Sequence, residues 1–178
     1  TSVLLVPFTL DRIKIMALTL FLMGVVFSEV VAVIQWRHNS FQSIDTEYAR
    51  LDLFQSVDRR TGRAIQALSN DPYFTQSAMF LDGDELVFDY NKFFHLIRYF
   101  NPDFTHSLMI GGAAYSFPRD YLTAYPGATI DVVEIDPRMT EIAKELFRLQ
   151  DDPRLSIFHE NARVFINSAP AGQYDAIM

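Results

Sequence analysis

The sequence predicts an α/β fold: an N-terminal hydrophobic helix, a small β-hairpin subdomain, and then the first half of a doubly wound domain with a four-stranded parallel sheet. Three observations predict it. Residues 13–33 are almost continuously apolar. A turn signal at Asp58-Arg59-Arg60-Thr61-Gly62 separates two short extended segments. After Pro102 the chain alternates short apolar strands with amphipathic helices, and that rhythm means parallel strands joined by right-handed crossovers.

In the apolar run Lys14 sits near the start, Glu29 is the sole acid, and residues 16–27 carry no charge. About 20 residues at ~1.5 Å each span a bilayer core of roughly 30 Å. A transmembrane or membrane-anchoring helix over 13–33 is therefore expected, with Trp36 and Arg37 at an interface. A buried helix and a signal-peptide core are the competing readings; Gln35-Trp36-Arg37 does not suit a cleavage site. Residues 1–8 read as the tail of an earlier span ended by Pro7, and 38–45 as a polar linker. Leu51, Leu53 and Gln55 alternate with Asp52 and Phe54 in an extended segment, and 63–69 return antiparallel. Residues 86–100 read as one helix with an inner face of Phe93, Phe94, Ile97 and Phe100, stopped by Asn101-Pro102. Next come strand 107–110, helix 117–125 and strand 130–135. Asp136-Pro137 opens the following helix: Asp caps it and Pro at the first position has no N–H to leave unpaired. Ile142, Leu146 and Leu149 form its inner face, and Asp151-Asp152-Pro153 breaks it. Strand 155–158, helix 162–167 and strand 174–178 complete the rhythm. The organisation expected is a hydrophobic segment 1–37, a linker and small β subdomain 38–85, and a nucleoside-binding domain 86–178.

Composition narrows the function classes. The 178 residues are 49% hydrophobic, which suits one ordinary core plus one further element. A formal charge of -7 argues against a nucleic-acid partner, which wants a basic footprint. Without cysteine there is no disulfide and no thiolate metal site, and the four histidines show no ligand spacing, so no metal is expected. The chain starts at Thr1 and stops inside an apparent strand, so both ends read as cuts in a longer protein. The outer edge of that last strand would then lack a partner, and low solubility is expected.

Two features carry chemistry together. Ile110-Gly111-Gly112-Ala113-Ala114 follows the first parallel strand, and small residues there let backbone N–H groups approach a ligand. Glu134-Ile135 ends the second strand about 20 residues on, where an acid can accept from both ribose hydroxyls of a nucleoside. The competing reading of Glu134 is an exposed strand-end acid; for Asp136 the helix cap is preferred. Asn161, with Ala162, follows the third strand and either meets an adenine or simply caps a helix. This is the nucleotide-gripping half of a Rossmann domain.

These motifs resemble a known family. Gly-Gly, then Val132-Val133-Glu134-Ile135-Asp136-Pro137, Asp152-Pro153-Arg154-Leu155, Asn161-Ala162-Arg163 and Tyr174-Asp175-Ala176-Ile177 resemble the polyamine aminopropyltransferases, or spermidine synthases. Gln76-Ser77 and Asp84-Glu85-Leu86-Val87-Phe88-Asp89-Tyr90 add to the likeness, which runs from Thr46 to the end. The apolar N-terminus resembles a membrane-fused bacterial branch. The resemblance implies a β domain before a methyltransferase-like Rossmann domain. It implies aminopropyl transfer from decarboxylated S-adenosylmethionine to an amine acceptor, and it leaves room for a homodimer. It places Gly111, Gly112, Ala113, Ala114, Glu134, Ile135, Asn161 and Ala162 at the nucleoside, and Tyr48, Gln76, Tyr90 and Tyr115 on the substrate side. The family's catalytic acid is expected beyond Met178, so no catalytic residue is assigned within the chain.

The departures concern the amine. The family's Gly-Gly-Gly-Asp-Gly ends here in Ala113, Ala114 and Tyr115; its Tyr-His-Glu is Tyr90-Asn91-Lys92; its Tyr-Gln is Tyr48-Ala49. Where the family usually has Asp at the adenine, this chain has Asn161. Two other readings stand beside the transferase: a methyltransferase that takes S-adenosylmethionine itself, and a non-catalytic nucleoside-binding domain linked to a membrane protein. A membrane-associated protein with its soluble domain in the cytoplasm is expected, because adenosyl co-substrates are cytosolic.

Overall fold

The computed structural model describes residues 6–38, 41–71 and 73–178, and the side chains of all of these except 6–11 and 36–38. Residues 1–40 and 41–178 form separate compact units.

The first unit is helix α1, Val6–His38, about 50 Å long at ~1.5 Å per residue. Pro7 lies within α1, and the tail of an earlier span expected over 1–8 falls largely on residues 1–5, outside the described residues. The stretch Arg12–Gln35 is long and apolar enough to cross a membrane, and none of it is buried. The interface expected of Trp36 and Arg37 falls on side chains outside the described residues.

The second unit opens with more sheet than a hairpin. Strands β1 (Gln42–Asp45), β2 (Arg50–Val57), β3 (Ala64–Ser69) and β4 (Ser77–Phe80) form one antiparallel meander. The linker expected over 38–45 is thus partly helix and partly β1. Its polar residues belong to an edge strand with one half-buried side chain, Ile44, which hydropathy alone reads as a loop. The β2–β3 turn forms where expected. Asp58 accepts from the Thr61 N–H at 2.9 Å, Gly62 takes φ 72°, and the pairing runs from Val57↔Ala64 to Asp52↔Ser69. Leu51, Leu53, Leu68 and Met79 pack this sheet against Ala114, Met139, Ile142 and Phe147 of the following layer.

The helix expected over 86–100 begins later and is broken. It comprises α2 (Asp89–Lys92), a 3-10 turn (Phe93–Leu96) and α3 (Ile97–Phe100). Tighter winding in the middle rotates the stripe. Ile97 is buried and Phe94 meets Phe117 edge-on at 5.0 Å, whereas Phe93 and Phe100 stand exposed. Leu86 lies outside the helix, bridged to Met79.

The parallel sheet follows the predicted rhythm. It comprises β5 (His106–Ile110), α4 (Ser116–Ala124), β6 (Thr129–Val133), α5 (Pro137–Leu146), β7 (Leu155–Phe158), α6 (Ala162–Ser168) and β8 (Ala176–Ile177). Strand order is β7-β6-β5-β8, all parallel. Asp136 caps α5 by accepting from the Arg138 N–H at 3.0 Å, with Pro137 at the start. The inner face of α5 differs from the expected one. The helix stops at Leu146, which is exposed; Phe147 is fully buried in its place; and Arg148 at φ 57° turns the chain so that Leu149 enters the core from beyond the helix.

Asp175 ties β8 to β5. Its carboxylate accepts from the backbone N–H of Thr105 at 2.8 Å and of His106 at 2.9 Å. Those bonds hold its pKa below the ordinary 3.8. A depressed carboxyl stabilises the fold above its unfolded pKa and loses that contribution as pH falls through the folded one. Asp175→Asn should therefore lower the neutral-pH melting temperature and flatten the acid limb below about pH 4. An acid limb identical to that of the unaltered chain would count against this role.

Candidate functional site

The order of the parallel sheet places its topological switch at β5, with β6 and β7 on one side and β8 on the other. In open α/β sheets the ligand crevice lies outside the carboxyl ends of the strands at that point. The turn leaving β5 occupies it. Gly111 (φ 83°), Ala113 (φ 47°) and Tyr115 (φ 55°) are all left-handed. For Ala and Tyr that conformation costs of order 1 kcal/mol or more, and it persists only where surroundings enforce it.

Glu134 is the main enforcer. It is buried, directly after β6. Its Oε2 accepts from the N–H groups of Gly112 at 2.8 Å and Ala113 at 3.2 Å, and its Oε1 from the N–H of Asp136 at 3.0 Å. One carboxylate thus joins the glycine turn to the cap of α5. The expectation that Glu134 takes both ribose hydroxyls is narrowed by this. A carboxylate has about four acceptor positions, and the three bonds leave one.

Tyr115 is the second enforcer, and here the structure corrects the sequence reading. The ring is fully buried rather than on a substrate side. Its hydroxyl pairs with Thr140 Oγ1 at 2.7 Å, and burial raises the phenol pKa well above its ordinary value. A methyl group added at Gly112 would stand 2.5 Å from Tyr115 Cζ, so the second glycine is required by this ring. Thr140 Oγ1 in turn lies 2.9 Å from His159 Nε2, at the end of β7. Sequence reasoning missed Thr140. A threonine on the inner face of an amphipathic helix carries no local signal of such a role.

The other expected residues fall as follows. Ala114 is buried against the β meander, and Ile135 is exposed beside Glu134. Asn161 accepts from the Arg163 N–H at 3.0 Å, so its side chain serves as the cap of α6, with Ala162 beginning that helix. Tyr90 and Gln76 come together: the Tyr90 hydroxyl donates to the Gln76 carbonyl at 2.9 Å. The Gln76 side-chain oxygen is buried without a partner. Tyr48 is exposed. Lys92 is exposed and paired with Asp89 at 2.8 Å. Among the described residues no group of three or more His, Asp or Glu side chains is placed to hold a metal.

A cavity of about 560 Å³ lies elsewhere, lined by Asp84, Arg119, Asp120, Arg148, Asp152 and Arg154. It sits near the start of β7, at the opposite end of that strand from the crevice. Its arginines are already engaged, Arg119 with Asp84 at 2.9 Å, Arg148 with the Leu81 carbonyl at 2.5 Å and Arg154 with Asp152 at 2.8 Å. The size of this cavity therefore says less about function than the geometry at β5.

Comparison with known proteins agrees with the architecture. No family model matches the chain. A polyamine aminopropyltransferase of Clostridium beijerinckii is 29% identical over 140 residues, covering 75% of this chain and 44% of that protein. The chain thus spans less than half of that relative's length. Among solved structures, a probable spermidine synthase from Corynebacterium glutamicum superposes with a TM-score of 0.64 at 22% identity, over 76% of this chain and 50% of that one. A spermidine synthase in complex with the transition-state analogue AdoDATO superposes at 0.59 with 23% identity, over 76% and 44%. The chain is similar to polyamine aminopropyltransferases in sequence, and the structural likenesses establish the shared fold.

Proposed function

We propose that residues 41–178 are the nucleoside-gripping part of an aminopropyltransferase-like enzyme whose co-substrate is an adenosyl sulfonium, decarboxylated S-adenosylmethionine. The observation that carries this reading is the buried Glu134 carboxylate clamped to the Gly112 and Ala113 amides at the carboxyl end of β6. It offers a fixed charge with an acceptor position to spare, beside a turn too small in side chain to block a nucleoside. Gly111 and Gly112 let the ligand approach the backbone, Glu134 takes a ribose hydroxyl, and Ile135 covers one side of the base. Asn161 and Ala162 lie at the adenine. The AdoDATO complex of a fold relative supports the ligand class.

In the transfer, the acceptor amine uses its lone pair to form an N–C bond to the propyl carbon. The C–S pair returns to sulfur, methylthioadenosine leaves, and the amine loses a proton. The acceptor side is the altered part of the site: alanines follow the glycine pair, and Lys92 is spent on Asp89. These features favour an acceptor other than the usual polyamine, or nucleoside binding without turnover. We also infer that α1 anchors the protein in a membrane, with residues 41–178 in the cytoplasm.

Calorimetry on the detergent-solubilised full chain tests the reading. Methylthioadenosine should bind in the micromolar range, and decarboxylated S-adenosylmethionine should outcompete S-adenosylmethionine. Absence of binding by any adenosyl nucleoside at millimolar concentration would sink it, and preference for S-adenosylmethionine would favour a methyltransferase.

A further inference from the structure

Three side chains form a hydrogen-bond chain from the glycine turn to the rim of the crevice: Tyr115 hydroxyl, Thr140 Oγ1 at 2.7 Å, and His159 Nε2 at 2.9 Å from Thr140. Tyr115 and Thr140 are buried; His159 is exposed. The direction of the chain follows from counting protons. Each hydroxyl has one to donate. Among the described residues the Tyr115 hydroxyl has Thr140 as its sole partner. A buried phenol proton without an acceptor costs about 1–3 kcal/mol, so Tyr115 donates to Thr140. Thr140 then has its own proton for His159 Nε2. That nitrogen must be an acceptor, and a neutral imidazole accepting at Nε2 carries its hydrogen on Nδ1. If His159 donated from Nε2 instead, either Thr140 would donate to Tyr115 and the phenol proton would be left buried without an acceptor, or Thr140 would accept from both neighbours and its own proton would have no acceptor among the described residues.

The location gives this tautomer a use. The Glu134 N–H donates to the carbonyl of Phe158 at 3.0 Å, so His159 is the next residue along the carboxyl edge of the sheet, beside the strand end that bears Glu134. The Oδ1 of Asn161 is taken by the cap of α6, so only its NH2 group faces other partners. Glu134 is an acceptor for the ribose, and the base presents ring nitrogens that are themselves acceptors and need a donor. We propose that His159 is a specificity-determining residue of the crevice, held by Thr140 as the Nδ1–H tautomer and donating to an adenine ring nitrogen of the bound nucleoside. The proposal rests on the nucleoside reading above. Thr140 is then a positioning residue that acts through His159.

Two measurements on the detergent-solubilised full chain test it. Nitrogen-15 NMR of histidine-labelled protein, with His159 assigned by difference against His159→Phe, should show the Nδ1–H tautomer without ligand. Thr140→Val should turn that signal into a mixture of tautomers. In calorimetry His159→Phe should bind methylthioadenosine about tenfold more weakly, the effect of one lost hydrogen bond. Analogues with one adenine ring nitrogen replaced by C–H should include one that loses affinity for the unaltered protein but not for His159→Phe. An Nε2–H tautomer in the free chain overturns the proposal, as does equal affinity of the two proteins for methylthioadenosine. If the unaltered chain binds no nucleoside at all, the functional reading fails and this proposal with it. If it binds and His159→Phe binds equally well, this proposal alone fails.

Discussion

Glu134→Gln is expected to lower nucleoside affinity about a hundredfold or more and to cost the fold on the order of 2–4 kcal/mol. The substitution keeps the size and shape of the side chain but not its hydrogen-bond pattern. Glu134 accepts at Oε2 from Gly112 and Ala113 and at Oε1 from Asp136. A carboxamide has one oxygen and one NH2 group. If the oxygen faces the glycine turn, the NH2 confronts the Asp136 N–H; if it faces Asp136, the NH2 confronts two backbone donors. Each donor left buried and unpaired costs about 1–3 kcal/mol, and the negative charge that strengthens the remaining bonds is gone. Either way a joint between the turn and α5 opens, and the ribose contact proposed for Glu134 loses its anchor. Thermal unfolding and calorimetric titration with methylthioadenosine measure both effects. Lost stability with unchanged affinity would make Glu134 purely architectural, and no change in either would refute the clamp.

The second large effect is expected at Gly112. An alanine there would place its methyl carbon 2.5 Å from Tyr115 Cζ and 2.6 Å from Cε2. Tyr115 cannot step aside cheaply. Its ring is fully buried, its backbone is left-handed, and its hydroxyl is bonded to Thr140. Gly112→Ala should therefore destabilise by about 1–3 kcal/mol through overpacking. Tyr115→Gly should cost about 3–5 kcal/mol through the cavity left behind, offset in part by relief of the left-handed backbone. The informative measurement is the double variant. With the ring absent, the added methyl loses its three nearest contacts, all of them atoms of the Tyr115 side chain, so the pair should cost less than the sum of the singles by roughly 1–3 kcal/mol. Chemical denaturation of the four proteins gives the coupling; additivity within about 0.5 kcal/mol would mean that residue 112 and the ring do not touch.

Legibility in the sequence followed the range of the interactions. The β2–β3 turn, the Asp136-Pro137 start of α5 and strands β5 to β7 were legible, because each rests on local chemistry: a side chain capping amides two or three residues away, or an apolar run bounded by breakers. The link between Glu134 and the glycine turn was legible because its spacing from Gly111-Gly112 is imposed by one strand–helix–strand unit. The errors sit where a residue's partner is remote. Tyr115 occupies a glycine position of the resembling family and was placed near the substrate, yet its ring lies in the core with Thr140, 25 residues along the chain. The aromatic stripe at 93–100 was assigned wholly to the interior. A 3-10 turn within it leaves Phe93 and Phe100 outside, and side-chain periodicity cannot foresee a change of helical pitch.

By itself, then, the sequence determined that residues 13–33 make an apolar helix, that an antiparallel element precedes a parallel βα sheet, and that an acid follows the second parallel strand, one strand–helix–strand unit on from a glycine pair. Those are consequences of composition, period and spacing. Only the tertiary structure decided how the acid is used. It brings three backbone amides onto Glu134 and leaves one acceptor position free. It also decided that Tyr115 supports the turn from beneath and that Thr140 passes that support to His159. The physical reason is burial. A hydrogen bond away from water is worth making only when every donor finds its acceptor, and which donors share a dry space is settled when the sheet, α4 and α5 pack.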